Sequence, residues 1–213
     1  MNYFITGGSG DIGNEIIKFL KKDNHTIIYP PSNELNLNGP LKLNKYNNIE
    51  YDGIIHCAAI NNPKKINEIS NTEFIEALQI NTLSLLEIIN KLNIKTGSNI
   101  IVISSIYSFL TREGRLIYTT SKHALNGMIK TLALELAEQN IKINAISPGF
   151  IDNKLTRKNN TLKRIEDIKN NIPLKRMGTS NEIVEIVKFL LFNNTYITGQ
   201  NIIVDGGYSL KGA

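Results

Sequence analysis

Tyr118 and Lys122 stand four residues apart in Tyr118-Thr-Thr-Ser-Lys122, and Ser105 lies thirteen residues before the tyrosine. On a helix an i, i+4 pair shares one face, so the ammonium can lie beside the phenol. A free phenol, with a pKa of about 10, is a poor proton shuttle at neutral pH, and a nearby cation favours its ionised form. Ser105 ends the apolar run Ile100-Ile-Val-Ile-Ser-Ser105, where a hydroxyl can hydrogen-bond a carbonyl oxygen and stabilise negative charge developing on it. Near the start comes Thr6-Gly7-Gly8-Ser9-Gly10-Asp11-Ile12-Gly13, placed after a strand and at the opening of a helix. Glycines there let the chain turn tightly and let backbone amides approach a pyrophosphate, while the helix N-terminus adds partial positive charge. Gly7, Gly10 and Gly13 suit those roles, and Ser9 can donate to a phosphate or ribose. One Tyr/Lys spacing of this kind is expected roughly by chance in a chain so rich in both residues, so its company carries the weight.

Elements that could position these residues follow from periodicity. Short β-branched runs mark strands at Asn2–Thr6, Thr26–Tyr29, Glu34–Leu37, Gly53–Cys57, Asn99–Ser104, Ile141–Ile146 and Asn201–Val204. Between them, apolar spacing near 3.6 predicts helices at about Ile12–Lys22, Thr72–Leu92, Leu116–Ala137 and Asn181–Leu191. Strands alternating with helices imply a doubly wound α/β fold: a seven-stranded parallel sheet with helices on both faces. Pro30-Pro31-Ser32-Asn33 is too short and too Pro-rich for a helix, so one crossover reduces to a loop.

With 213 residues and no linker or repeat, a single domain over 1–213 is expected to hold all ligands. Phe150–Met177 has the least clear pattern. Because ligands in this architecture bind beyond the carboxyl ends of the strands, residues 150–177 are expected to form a substrate lid. No apolar window reaches the length of a membrane span. The start, Met1-Asn-Tyr-Phe-Ile-Thr6, runs straight into the glycine turn without a signal-peptide pattern, so the cytoplasm is the expected compartment. The net charge of +5 comes from scattered lysines without an aromatic-interleaved stripe, which argues against nucleic acid as a partner. The single cysteine, Cys57, sits in an apolar run and reads as a core residue. His56, near the end of a buried strand, reads as a core or cofactor-side histidine and not a catalyst, and His25 and His123 do not group with carboxylates at metal-ligand spacing, so no metal is expected.

In these motifs the chain resembles the short-chain dehydrogenases/reductases nearly end to end. The family's serine strand matches Ile100–Ser105, its catalytic Tyr and Lys match Tyr118 and Lys122, and its active-site asparagine matches Asn81 in Gln79-Ile-Asn81-Thr. Asn144-Ala-Ile-Ser-Pro148-Gly149-Phe150-Ile151 resembles the segment that passes over a nicotinamide. Ile172-Pro-Leu-Lys-Arg-Met-Gly178 with Glu182-Ile183, and Ile197-Thr-Gly-Gln200 leading to Val204-Asp-Gly-Gly207, resemble C-terminal signatures. The resemblance implies a Rossmann-type sheet and hydride transfer between NAD(P) and a carbonyl or alcohol. Ser105 would polarise the carbonyl, Tyr118 would exchange the proton, Lys122 would hold the ribose and depress the Tyr118 pKa, and Asn81 would anchor a proton-relaying water. Cofactor contacts would come from Gly7, Ser9, Gly10, Asp11, Ile12, Gly13, Ser32, Asn36, Leu37, Ala58, Ala59, Ile60, Tyr118, Lys122, Pro148, Gly149, Ile151 and Asn153.

The fourth strand departs from the compact branch of the family: it ends His56-Cys57-Ala58-Ala59, which is more like the extended, sugar-nucleotide-modifying branch. A 3-oxoacyl thioester is the favoured substrate, with a nucleotide sugar or polyol as the alternative and a non-catalytic dinucleotide sensor as the reading from another class. The second strand ends Tyr29-Pro-Pro-Ser32 without an acid. Ser32 and Asn33 could donate to a 2′-phosphate, which favours NADP over NAD unless Glu34 reaches the ribose. Two helices carry more apolar residues than one face needs, Leu83, Leu85, Leu86, Ile88 and Ile89 in one and Leu125, Met128, Ile129, Leu132, Leu134 and Leu136 in the other. That excess predicts a homodimer or homotetramer.

Overall fold

The computed structural model describes residues 1–211. Six parallel strands form the sheet: β1 Asn2–Thr6, β2 Thr26–Ile28, β3 Glu50–His56, β4 Asn93–Ile103, β5 Lys142–Pro148 and β6 Asn201–Val204, in the order β2-β1-β3-β4-β5-β6. The chain leaves β1 to one side for β2 and returns to its other side for β3, which opens a crevice at the carboxyl ends.

Strand side chains alternate between two cores. Phe4, Ile54, Ile100, Val102 and Ile143 face one side, where α3 (Ser84–Lys91) contributes Leu85 and Ile88, and α4 (Leu116–Glu135) contributes Leu125 and Ile129. Tyr3, Ile5, Ile55, Ile101 and Ile146 face the other, against Ile16, Ile17 and Leu20 of α1 (Asp11–Lys21) and Ile183, Val187 and Leu190 of α7 (Ser180–Phe192). Strands covered on both faces read as unbroken apolar runs, and Ile54-Ile55 and Ile100–Ile103 do so. Each such side chain contributes about 1.5–3 kcal/mol on full burial. Capping boxes at Ser70/Glu73 and Thr179/Glu182 start α2 (Asn71–Leu78) and α7.

Two expectations need correction. Glu34–Leu37 is not a strand, so the described sheet has six strands rather than seven. The amides of Glu34 and Leu35 both donate to Pro31 O at 2.9 Å, which closes a turn. Glu34 then binds Lys45 and Tyr46 through its carboxylate, and Leu35 packs into the core. The 72–92 helix is interrupted: α2 passes through a π-turn at Gln79–Leu83 before α3 begins. An extra residue in the turn at this point carries Asn81 inward, where it is fully buried.

The apolar surplus on the 72–92 and 116–137 helices is mostly used within the chain. Leu85, Ile88, Leu125 and Ile129 are fully buried, whereas Leu83 and Leu134 stay exposed. Residues 150–177 form α5 (Lys154–Lys158) and α6 (Leu162–Asn171), with a small core of their own from Ile165, Ile168, Ile172 and Met177 against Phe150 and Tyr208. Among the described residues, no helix is long and apolar enough to cross a membrane.

Candidate active site

A cavity of about 450 Å³ opens at the carboxyl ends of β1, β4 and β5. Gly7, Ser9, Gly10, Asp11, Ile12 and Gly13 line one end; Ser105, Tyr118 and Lys122 line the same cavity, with Ala59, Pro148, Gly149, Ile151 and Asn153 between and above them.

The glycine turn has little tolerance for side chains. Gly7 has φ +69°, and a Cβ on it would meet Ala58 N at 2.6 Å and Cys57 C at 2.7 Å; one on Gly13 would meet Gly7 O at 2.3 Å. Gly10 is the N-cap of α1, with no side chain capping it, and it faces the cavity. The first amides of α1 therefore point toward open space, an arrangement suited to a pyrophosphate. The residues present fit a dinucleotide. Asp11 is committed differently: its Oδ2 accepts from Lys154 N at 2.7 Å, tying the start of α5 to the turn.

Tyr118 and Lys122 lie in the first turns of α4, as their spacing predicts, with the Lys122 Nζ 5.7 Å from the phenol ring centroid. Lys122 is 1% exposed. It donates to Ile103 O at 3.0 Å, and burial lowers its pKa to about 8, with the Cys57 thiol opposing slightly. Tyr118 behaves otherwise than expected. Burial raises its pKa above the ordinary phenol value, while the Ser105 hydroxyl and the Arg115 guanidinium pull it back down. Desolvation outweighs these. Ser105 sits at the end of β4, and its Oγ also accepts from Tyr107 N at 3.2 Å.

Asn81 does not line the cavity. Its Oδ1 accepts from Ile60 N at 2.8 Å, and its Nδ2 donates to Ile60 O at 3.0 Å and to Ser121 Oγ at 2.9 Å. Ser121 in turn donates to Tyr118 O at 2.8 Å. The amide thus pins the loop after β3 to the turn of α4 that carries Tyr118. Ala58 and Ile60 are likewise backbone supports: Ala58 N donates to Thr6 Oγ1 at 3.3 Å. Neither forms the cavity wall.

Ser32, Asn36 and Leu37 also lie off that wall. Ser32 is exposed, the Asn36 side chain accepts from Asn38 N within its own turn, and Leu37 packs against the core. The missing third strand is the reason, since the segment curls instead of running out beside β2. His56 is fully buried, its Nδ1 2.9 Å from Thr6 Oγ1. Burial, reinforced by the Lys122 charge, pushes its pKa down to about 3, so it is neutral. Burial pushes the Cys57 thiol up to about 12, too high for a nucleophile.

Sequence reasoning passed over Arg115, Asn61, Tyr107 and Lys158, which also line the cavity. For Arg115 there was a signal: a cation one helical turn before Tyr118 must share its face. For Asn61 and Lys158 there was none, because they come from loops whose course is set by the fold.

The family described as enoyl-(acyl carrier protein) reductase matches residues 45–209. A 3-oxoacyl-(acyl-carrier-protein) reductase of Buchnera aphidicola is 33% identical over 197 residues, covering 90% of this chain and 80% of that protein. One of Rickettsia typhi is 33% identical over 228 residues, covering 95% and 94%. A crystal structure of a short chain dehydrogenase family protein from Francisella tularensis superposes with a TM-score of 0.90 at 30% identity, covering 98% of each chain.

Proposed function

Given that the chain belongs to the short-chain dehydrogenase/reductase family of oxidoreductases, we propose that it interconverts a carbonyl and an alcohol, with Tyr118 exchanging the proton. The observation that supports this most is the meeting of Tyr118, Ser105 and Lys122 with the glycine cradle on one cavity. Bound there, NAD(P) would supply or accept the hydride at the substrate carbon. In reduction Tyr118 gives its proton to the carbonyl oxygen, and in oxidation it takes that proton back. The raised Tyr118 pKa keeps the phenol protonated at rest, ready to donate. Ser105 hydrogen-bonds the same oxygen and stabilises its charge. Lys122, held by Ile103 O through one N–H, has two left for the cofactor ribose, and Asn81 acts by positioning the Tyr118 turn. Residues 150–177 serve as the lid, since Asn153 to Asn160 form one wall of the cavity.

NADP is the favoured cofactor. No carboxylate stands at the end of β2, Glu34 is held by Lys45 and Tyr46, and Lys21 lies beside Tyr29 at that strand end, donating to its hydroxyl at 3.1 Å. The reductases named above support a 3-oxoacyl thioester as substrate. Assembly into a homodimer or homotetramer is supported by Leu116, Gly127 and Leu134, which lie along the outer side of α4. Leu116 and Leu134 are exposed, and a Cβ on Gly127 would meet nothing within 4 Å. Purified protein assayed by nicotinamide absorbance over a carbonyl and alcohol panel tests the reading. Tyr118→Phe should lower turnover by orders of magnitude with NADPH affinity retained, and a variant that keeps most of its rate refutes the assignment.

A further inference from the structure

Arg115 is not used by the chemistry described so far. It caps the start of α4, is 5% exposed and lies in the cavity wall. Its only side-chain hydrogen bond among the described residues runs from Nη1 to Asn61 Oδ1 at 2.7 Å. Its Nε–H is enclosed without an acceptor, and no carboxylate of the described residues pairs with it. Arg112 also buries an Nη1 that has no acceptor, and the charges of Arg112, Arg115 and Arg164 all bear on the buried Tyr107.

A cation withdrawn from water without a counter-charge is costly to keep, and the wall of a ligand cavity is where a bound anion would offset that cost. The cofactor's pyrophosphate is not that anion. Its cradle belongs to the β1–α1 turn, whereas Arg115, Tyr107 and Ser105 belong to the link between β4 and α4, at the Tyr118 end. A planar guanidinium held by one arm leaves the rest of its fork for an oxyanion it can grip bidentately, a carboxylate or a phosphate, and a carboxylate is the one that can sit within the substrate close to the carbonyl at the Tyr118 end.

We propose that Arg115 binds a carboxylate carried by the substrate, so that the reacting carbonyl or alcohol belongs to an oxo or hydroxy acid. The proposal rests on the hydride-transfer reading and puts an oxo or hydroxy acid in place of the 3-oxoacyl thioester. A thioester places a neutral group beside the 3-oxo carbon, and a polyol carries no charge for Arg115 to meet.

The test uses pyruvate, acetoacetate and levulinate, each against its methyl ester, together with acetoacetyl-N-acetylcysteamine as the thioester, all with NADPH and NADH. The wild type should reduce at least one acid with a kcat/KM about tenfold or more above that of its ester. In Arg115→Gln the acid-to-ester ratio should fall toward one, a loss of about tenfold to a hundredfold carried mainly in KM, while Arg115→Lys keeps part of the preference. The ratio is internal to each protein, so a partly unfolded variant still reports it. Faster turnover of the thioester or esters than of every acid, or an unchanged ratio in Arg115→Gln, overturns the proposal while leaving hydride transfer intact. An unchanged acid-to-ester ratio with kcat lowered equally in Arg115→Lys and Arg115→Gln assigns Arg115 to folding and also overturns it. No turnover of any member counts against the hydride-transfer reading and takes the proposal with it.

Discussion

Two glycines in one turn should respond oppositely to alanine. Gly7 has φ +69°, and the added Cβ would press on Ala58 N at 2.6 Å and Ala58 Cα at 2.8 Å, main-chain atoms that cannot swing aside. A left-handed non-glycine residue costs about 1–2 kcal/mol and overpacking about 1–3 kcal/mol, so Gly7→Ala should lose about 2–5 kcal/mol. At about 2–4 °C per kcal/mol for a chain of this size, its Tm should fall on the order of 10 °C. Gly10 has φ −75° and ψ 160°, which alanine adopts freely, and its Cβ would meet only Gly7 O at 3.4 Å. Losing a glycine N-cap costs about 1 kcal/mol at most, so Gly10→Ala should melt within about 4 °C of wild type. Its methyl would nonetheless occupy the space through which the phosphates reach the α1 amides, and NADPH affinity should fall about tenfold or more. Differential scanning fluorimetry and calorimetric titration with NADPH read the two effects separately. A Gly10→Ala protein that binds NADPH like wild type would remove the cradle from the argument; a Gly7→Ala protein that melts like wild type would remove the packing argument.

Acid should destabilise the chain through His56. Its folded pKa is near 3 against an ordinary 6.5, so above pH 6.5 neither state binds the proton, and below it only the unfolded state does. Stability is therefore lost as pH falls from 6.5 toward 3, by up to about 1.4 kcal/mol per unit; urea unfolding of His56→Gln at pH 7, 6 and 5 should show a flatter slope, and an equal slope would clear His56. NADPH should exceed NADH in kcat/KM, since Glu34 is bound elsewhere; steady-state kinetics favouring NADH would mean that some carboxylate reaches the ribose. Sedimentation at micromolar concentration should show a dimer or tetramer that Leu134→Glu weakens, and a fully active monomer would contradict the α4 interface.

Much was legible without coordinates because it is local. Apolar runs such as Ile100–Ile103 announce strands buried on both faces, the Gly7–Gly13 spacing demands a tight turn into a helix, and an i, i+4 separation on α4 places Lys122 beside Tyr118 whatever the rest of the chain does. Other features depend on contacts distant in sequence, and only the folded chain decided them. Glu34-Leu-Asn-Leu37 has a strand's composition, yet the Pro31 turn and the pull of Lys45 and Tyr46 on Glu34 leave it outside the sheet. That Asn81 directs its side chain to Ile60 and Ser121 was set by a π-turn that no local pattern announced. Tyr118 holds its proton more firmly than the neighbouring lysine suggested, since desolvation is a property of everything packed around a group. Arg115, one cation among 24 basic residues in the sequence, became distinctive only when folding buried it without a carboxylate partner among the described residues.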